Sequence, residues 1–203
     1  MMEKTPHLII VGGGTAAVTA ATETVSRGGR VTLIYEGLPV GGCCLHVGCV
    51  PSKYWIRAAE QVHAAEVSRF PGLHPKGVEV DQPTLFSDLQ ATITALRERN
   101  YEPMLDGLEG MEVIQGWGRL VDGTTVEVNG GTISGDAVLL ATGSTTDLSP
   151  AAHLPEERVL SNENLFAQER LPESVIVVGG GYIAVELSQM MNRFGVNVTT
   201  LQR

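Results

Sequence analysis

Cysteine is absent from this 203-residue chain except in one seven-residue window, which holds Cys43, Cys44 and Cys49. A secreted disulfide framework spreads an even number of cysteines along its length, so that class is excluded. Clustered thiols point instead to redox or metal chemistry in a reducing compartment. Basic residues are scarce too: 14 Lys and Arg stand against 23 Asp and Glu, the formal net charge is -9, and no basic block exceeds a pair. A surface that tracks nucleic-acid phosphates is not expected. Long hydrophobic runs are also missing. The apolar stretch from Leu8 to Ala21 is too short to span a bilayer, and Gly12, Gly13 and Gly14 in its middle would break a signal-peptide or membrane helix. A cytoplasmic protein with neither a membrane nor a nucleic-acid partner is the expectation. The five histidines, His7, His46, His63, His74 and His153, are scattered and only His46 lies near the thiols, so no fixed metal site is assigned.

What is present is glycine in clusters. The 24 glycines are about 12% of the chain, against an average near 7%, and they fall in short runs without a repeat. Leu8 to Val11 reads as a strand buried on both faces. Gly12-Gly13-Gly14-Thr15-Ala16-Ala17 follows in the G-x-G-x-x-A form of the dinucleotide fingerprint, then a helix to Arg27, Gly28-Gly29, and a second strand from Arg30 to Tyr35 that closes with Glu36. The chain contains a second copy. Val175 to Val178 is a strand, Gly179-Gly180-Gly181-Tyr182-Ile183-Ala184 repeats the fingerprint, Gly195 ends a helix, and Val198 to Leu201 is the next strand. Adding 167 to a position in the first copy gives its counterpart in the second. Two fingerprints in register, each in β-α-β context, make dinucleotide binding the reading of both.

The copies differ where specificity is set. A carboxylate at the end of the second strand accepts hydrogen bonds from a free ribose, whereas an arginine compensates a 2′-phosphate. Glu36 therefore suits FAD or NAD, and Arg203 suits NADPH. Between the copies, Pro51 to Arg69 and Leu85 to Leu108 have helical spacing, and Met111 to Ile114, Thr125 to Val128 and Ala137 to Ala141 read as strands with glycine turns such as Asn129-Gly130-Gly131. A linker with three prolines, Pro150, Pro155 and Pro172, separates the units. The fold class is α/β, a doubly wound Rossmann-like FAD-binding domain over 1–150, followed by a linker and the first β-α-β of an NAD(P)-binding domain over 151–203. The chain reads as truncated, its second nucleotide unit left with unpaired edges and an uncovered apolar face.

Cys44 and Cys49 are separated by four residues. On an ideal helix their Cα atoms would lie about 8 to 9 Å apart, beyond disulfide range, so a bond needs an unwound turn, which Gly48 permits. Pro51 is comfortable in the first turn of a following helix. That places Cys49 at a helix N-terminus, where the backbone N–H groups favour an anionic sulfur. A zinc site and plain burial remain the alternatives.

Taken together, the first fingerprint, Cys44-x4-Cys49 with Pro51-Ser52-Lys53, Ala141-Thr142-Gly143 and Gly179-Gly-Gly-Tyr-Ile-Ala-Val-Glu186 resemble the N-terminal part of the class I pyridine nucleotide-disulfide oxidoreductases. These are the FAD-dependent family of glutathione reductase, dihydrolipoamide dehydrogenase and mercuric reductase. Ile56-Arg57-Ala58-Ala59 and Gln115-Gly116-Trp117-Gly118-Arg119 look most like the mercuric reductase branch. The resemblance implies a homodimeric enzyme using FAD and NADPH, with Cys49 as the thiol against the flavin and Cys44 as the interchange thiol, where Hg(II) would be held transiently. It implies that Lys53 lies near the flavin and pairs with Glu186, and that Tyr182, with Ile183, covers the nicotinamide pocket. Gly42, Cys43 and residues 141–143 would line the FAD site, and Gly118 would contact its adenine end. Departures are Cys43 and His46, where the family commonly has threonine and asparagine, and Tyr35, which intervenes before the acid Glu36. A glutathione- or dihydrolipoamide-type reductase is the alternative, and a fragment without turnover is the alternative of another class.

Overall fold

Strand-forming runs near the start of the chain pair side by side in a parallel sheet. In the computed structural model, which describes residues 5–68, 70–106 and 108–202, the elements in chain order are as follows. β1 (His7–Val11), α1 (Thr15–Ser26), β2 (Arg30–Tyr35) and α2 (Gly42–His46) come first. Three helices follow, α3 (Cys49–Glu66), α4 (Gln82–Asn100) and α5 (Glu102–Asp106). Then come β3 (Met111–Gln115), β4 (Arg119–Leu120), β5 (Thr125–Val128), β6 (Gly131–Ser134) and β7 (Ala137–Leu140). The last elements are α6 (Asn162–Leu165), β8 (Ser174–Val178), α7 (Tyr182–Arg193) and β9 (Asn197–Leu201). Two compact units divide these. The first runs through Val47 and resumes over Ile93–Val159; the second comprises Gly48–Thr92 and Leu160–Arg203.

In the first unit four strands form a parallel sheet in the order β3-β2-β1-β7. The two-residue period of a strand sends alternate side chains to opposite faces. Ile9, Val11 and Ile34 pack with Val126 and Val128 of the antiparallel sheet β4-β5-β6. Ile10, Val31 and Leu33 pack with Ala17 and Ala21 of α1 on the other face. The result is a three-layer Rossmann-like α/β unit. β5 and β6 are joined by a turn in which Asn129 (φ 51°) and Gly130 (φ 78°) both have positive φ, as a two-residue hairpin requires.

Both fingerprint helices end by the same device. Gly28 N–H donates to Val25 O and Gly29 N–H to Thr24 O, with Gly28 at φ +80°. One repeat later Gly195 N–H donates to Asn192 O and Val196 N–H to Met191 O, with Gly195 at φ +85°. These are Schellman caps, which need glycine at the left-handed residue.

The second unit is built around Trp55 of α3, which is fully buried and packs its ring 4.4 Å from Phe86 and 5.0 Å from Phe194. Its strands β8 and β9 pair in parallel, and Ile176 and Val178 lie 64% and 74% exposed on the sheet they form. One expectation is corrected. The helix read from Leu85 to Leu108 is two helices, α4 and α5, broken at Tyr101. Pro103 explains the break, because it has no N–H to continue the i→i−4 ladder back to Arg99.

Candidate functional site

Glycine makes the first unit's cradle by letting backbones meet. An ideal Cβ at Gly12 (φ +133°) would stand 2.0 Å from the Ala141 carbonyl oxygen, and one at Gly13 would stand 2.9 Å from Tyr35 Cβ. Opposite them, Gly41 N–H donates to Gly13 O at 2.9 Å, and a Cβ on Gly42 would lie 2.7 Å from Gly14 Cα. A Cβ on Gly14 itself would meet nothing within 4 Å. Gly14 is the N-cap of α1, with extended backbone, no capping side chain and no acid in the first turn that Thr15, Ala16 and Ala17 begin. The first N–H groups of the helix thus face open space with no side chain to satisfy them, the arrangement that receives a phosphate. These residues fit the pyrophosphate of a dinucleotide.

Around this cradle stand the other residues singled out in the sequence. Glu36 is exposed just past the end of β2. Ala141 N–H donates to Val11 O at 2.8 Å, and Thr142 and Gly143 (φ +72°) continue from β7, with open space at Gly143. Gly118 is held for packing, because a Cβ there would press on Val11, Ile34 and Val126 at 3.1 to 3.4 Å. Cys43 is exposed and Cys44 half-buried, both on α2. His46 Nε2 donates to Val40 O at 3.2 Å, which ties the end of α2 back to the chain before it.

The second unit begins with the break at Gly48, and Cys49 is the first residue of α3, with Pro51 in its first turn. One turn on, Lys53 Nζ donates to Glu186 Oε2 at 2.6 Å, joining α3 to α7. The side chains are 56% and 40% exposed, so water screens the pair and its worth to stability is below about 1 kcal/mol. A cleft of about 790 Å³ runs along α3, lined by Cys49, Val50, Lys53, Tyr54, Arg57, Ala58 and Gln61. Tyr54 Oη donates to Asp88 Oδ2 at 2.6 Å. Burial first, then that hydrogen bond and the Asp88 charge, push the phenol up to about 12, so it stays protonated at any physiological pH.

The second fingerprint repeats the first in its geometry. Gly179 has φ +120°, Gly180 abuts Gln202 as Gly13 abuts Tyr35, and Gly181 is an extended N-cap without a capping side chain. Tyr182 opens α7 at 79% exposure, followed by Ile183 at 49%. No Cβ contact arises at Gly179 or Gly181, so the space before α7 is open to a nucleotide. Arg203 lies outside the described residues. Tyr54 and Gln61 were not singled out in the sequence. Their signal was a pair of adjacent four-residue spacings, Cys49, Lys53, Arg57 and Gln61 beside Val50, Tyr54 and Ala58, which put these residues on one helical face. Among the described residues no group of three or more His, Cys, Asp or Glu is placed to hold a metal ion, and no helix is long and apolar enough to cross a membrane.

Comparison with known proteins agrees with this geometry. Residues 6–203 match the family described as pyridine nucleotide-disulphide oxidoreductase. The chain is 35% identical to a mercuric reductase of Lysinibacillus sphaericus over 97% of its own length and 36% of the relative's. It is 37% identical to a mercuric reductase of Bacillus cereus over 96% of its own length and 31% of the relative's. Among solved structures it matches the HOCl-induced flavoprotein disulfide reductase RclA from Escherichia coli, with a TM-score of 0.77 and 26% identity, over 96% of this chain and 41% of that one. The chain therefore spans about a third of the length of these mercuric reductases.

Proposed function

Because the chain belongs to the pyridine nucleotide-disulphide oxidoreductases, we propose that it carries the thiol and nucleotide-binding machinery of an FAD-dependent enzyme that passes electrons from NADPH to a soft electrophile, Hg(II) foremost. The observation that carries this reading is the Lys53–Glu186 ion pair. It joins the helix headed by Cys49 to the helix that follows the second fingerprint, so a thiol and a nicotinamide-type cradle share one unit. The net reaction balances as NADPH plus Hg(II) giving NADP⁺, Hg(0) and a proton.

Flavin bound to the protein would supply the two-electron relay between nicotinamide and sulfur. Gly12, Gly13, Gly14, Gly42 and Cys43 would hold its phosphates, with Glu36 on the ribose, residues 141–143 lining the site and Gly118 at the adenine end. By the family resemblance Cys49 would be the thiol toward the flavin and Cys44 the thiol that exchanges with substrate. The pair cycles between disulfide and dithiol, taking up two electrons and giving them on. Lys53, positioned by Glu186, would offer a cation to the flavin, and Tyr182 and Ile183 would cover a bound nicotinamide. Residues 1–150 serve the flavin and 151–203 begin the NADPH domain, with Arg203 on the 2′-phosphate. The working form is a cytoplasmic homodimer acting on a small molecule or metal ion.

The mercuric reductase relatives support Hg(II) over a disulfide as acceptor, and the likeness to RclA keeps a disulfide substrate as the second reading. The test is NADPH oxidation by the purified full-length protein with Hg(II), oxidised glutathione or lipoamide as acceptor. Turnover with Hg(II) that is lost in both Cys44→Ser and Cys49→Ser is expected. Turnover with the disulfides alone would replace the first reading by the second, and turnover in the absence of both thiols would refute each.

A further inference from the structure

The four parallel strands present their carboxyl ends along one edge in the order β3-β2-β1-β7, with neighbours about 4.8 Å apart. At the end of β1 the glycine loop and the N-terminus of α1 receive phosphate. At the end of β2 stands Glu36, the residue suited to a ribose. The next position along that edge is the end of β3, where Gly116 N–H donates to Tyr35 O at 2.8 Å and keeps the chain beside β2. The following residue is Trp117, 78% exposed. The other tryptophan of the chain, Trp55, is fully buried, so a large aromatic has been left in water at the sheet edge along which the first unit's nucleotide would lie.

The backbone on both sides of Trp117 is clamped. Asn129 Nδ2 donates to Gln115 O at 3.1 Å, and a Cβ on Gly116 would come within 2.4 Å of Asn129 Oδ1. Gly118 is wedged against Val11 and Ile34. The indole is thus an exposed aromatic on a fixed segment, which lowers the entropy cost of stacking a planar base. Base stacking on an aromatic depends on the π-face rather than on hydrogen-bond readout.

We propose that Trp117 is the stacking platform for the purine of the dinucleotide bound in the first unit, and so a determinant of selectivity for the dinucleotide over a flavin mononucleotide. This rests on the reading of that unit as a flavin dinucleotide site. ADP-ribose is the informative probe, because it carries the purine, ribose and pyrophosphate without the flavin chromophore.

The experiment titrates ADP-ribose, FAD and FMN onto the flavin-free full-length protein and its Trp117→Phe and Trp117→Ala variants, by calorimetry and by tryptophan emission. ADP-ribose is expected to quench the emission of the parent protein more than that of Trp117→Phe, which lacks the exposed indole. Trp117→Ala should bind FAD and ADP-ribose about tenfold or more weakly, with Trp117→Phe between it and the parent and FMN affinity unaltered. A parent that binds FAD while Trp117→Ala binds it equally well overturns the proposal alone. An equal loss for FMN and FAD in Trp117→Ala also overturns it, by showing a general disturbance of the unit. A parent that binds neither FAD nor ADP-ribose overturns the flavin reading, and the platform with it.

Discussion

Lowering the pH from 7.5 to 5.5 should loosen the first unit through His7. This side chain is 7% exposed. Arg30 Nη2 lies 3.0 Å from Nδ1 and can only donate, so Nδ1 accepts and the ring proton sits on Nε2. Nε2–H then donates to Thr32 Oγ1 at 2.9 Å, and Thr32 donates on to Glu112 Oε2 at 3.2 Å. A second proton on the ring would turn Nδ1 into a donor facing the Arg30 guanidinium. Burial and the Arg30 charge accordingly hold His7 below its ordinary 6.5, outweighing the Ser134 backbone hydrogen bond and the Asp136 and Glu112 charges, which pull the other way. The folded state therefore binds fewer protons than the unfolded one between the folded midpoint and 6.5. Stability is complete above 6.5, falls as the pH drops through that window, and levels off below the folded midpoint. A single group gives a slope of at most about 1.4 kcal/mol per pH unit. For a domain of this size that is about 3–6 °C in melting temperature per unit. The assay pairs thermal unfolding at constant ionic strength with an NMR titration of the His7 ring. His7→Gln, which keeps a donor and an acceptor but does not titrate, should flatten the slope. A ring midpoint at or above 6.5, or equal slopes in parent and variant, would refute the reasoning.

The remaining predictions concern the cradle and the thiol helix. Gly12→Ala should cost about 2–5 kcal/mol in a chemical denaturation midpoint and abolish FAD binding, because its Cβ would overlap the Ala141 carbonyl at a positive φ; a variant that folds and binds as the parent does would contradict the fit. Lys53→Met should change the melting temperature by only a degree or two, the pair being half in water, yet lower the rate of thiol reduction by NADPH at least tenfold, as followed by thiol labelling; a large loss of stability with an unchanged rate would make the pair structural. On two-electron reduction of the flavin-loaded protein, a long-wavelength absorbance band is expected that Cys49→Ser abolishes and Cys44→Ser retains. The reverse pattern would exchange their roles.

Most of the sheet was legible because it rests on a signal confined to a few consecutive residues. β1, β2, β3, β5 and β7 match their aliphatic runs to within a residue at each end. The two fingerprints and their caps at Gly28 and Gly195 were legible for a related reason, since a positive φ leaves a glycine in the sequence. What was hidden has no local signal. β4 is two exposed residues, too short for any periodicity, and α2 is a single short helix spanning residues read for their thiols. The aromatic core of Trp55, Phe86 and Phe194 joins residues far apart in the chain, which composition does not bring together. The Lys53–Glu186 pair, 133 positions apart, was foreseen only through the family resemblance. On α3 the thiol drew the reading to its turn, although the stripe of residues that lines the cleft was written in the same helix.

The position of β1 between β2 and β7 has a consequence for how the protein is made. Its first neighbour is complete by Tyr35, while its second begins at Ala137, 126 positions after Val11. At a synthesis rate of about 5–20 residues per second, that edge of β1 waits about 6–25 s for its partner. During the wait the Leu8-Ile9-Ile10-Val11 strand offers an unpaired aliphatic edge to any other nascent chain. Ribosomes halted shortly before codon 137 should carry chains that bind chaperones and aggregate, and ribosomes that have released the Ala137–Leu140 strand should not.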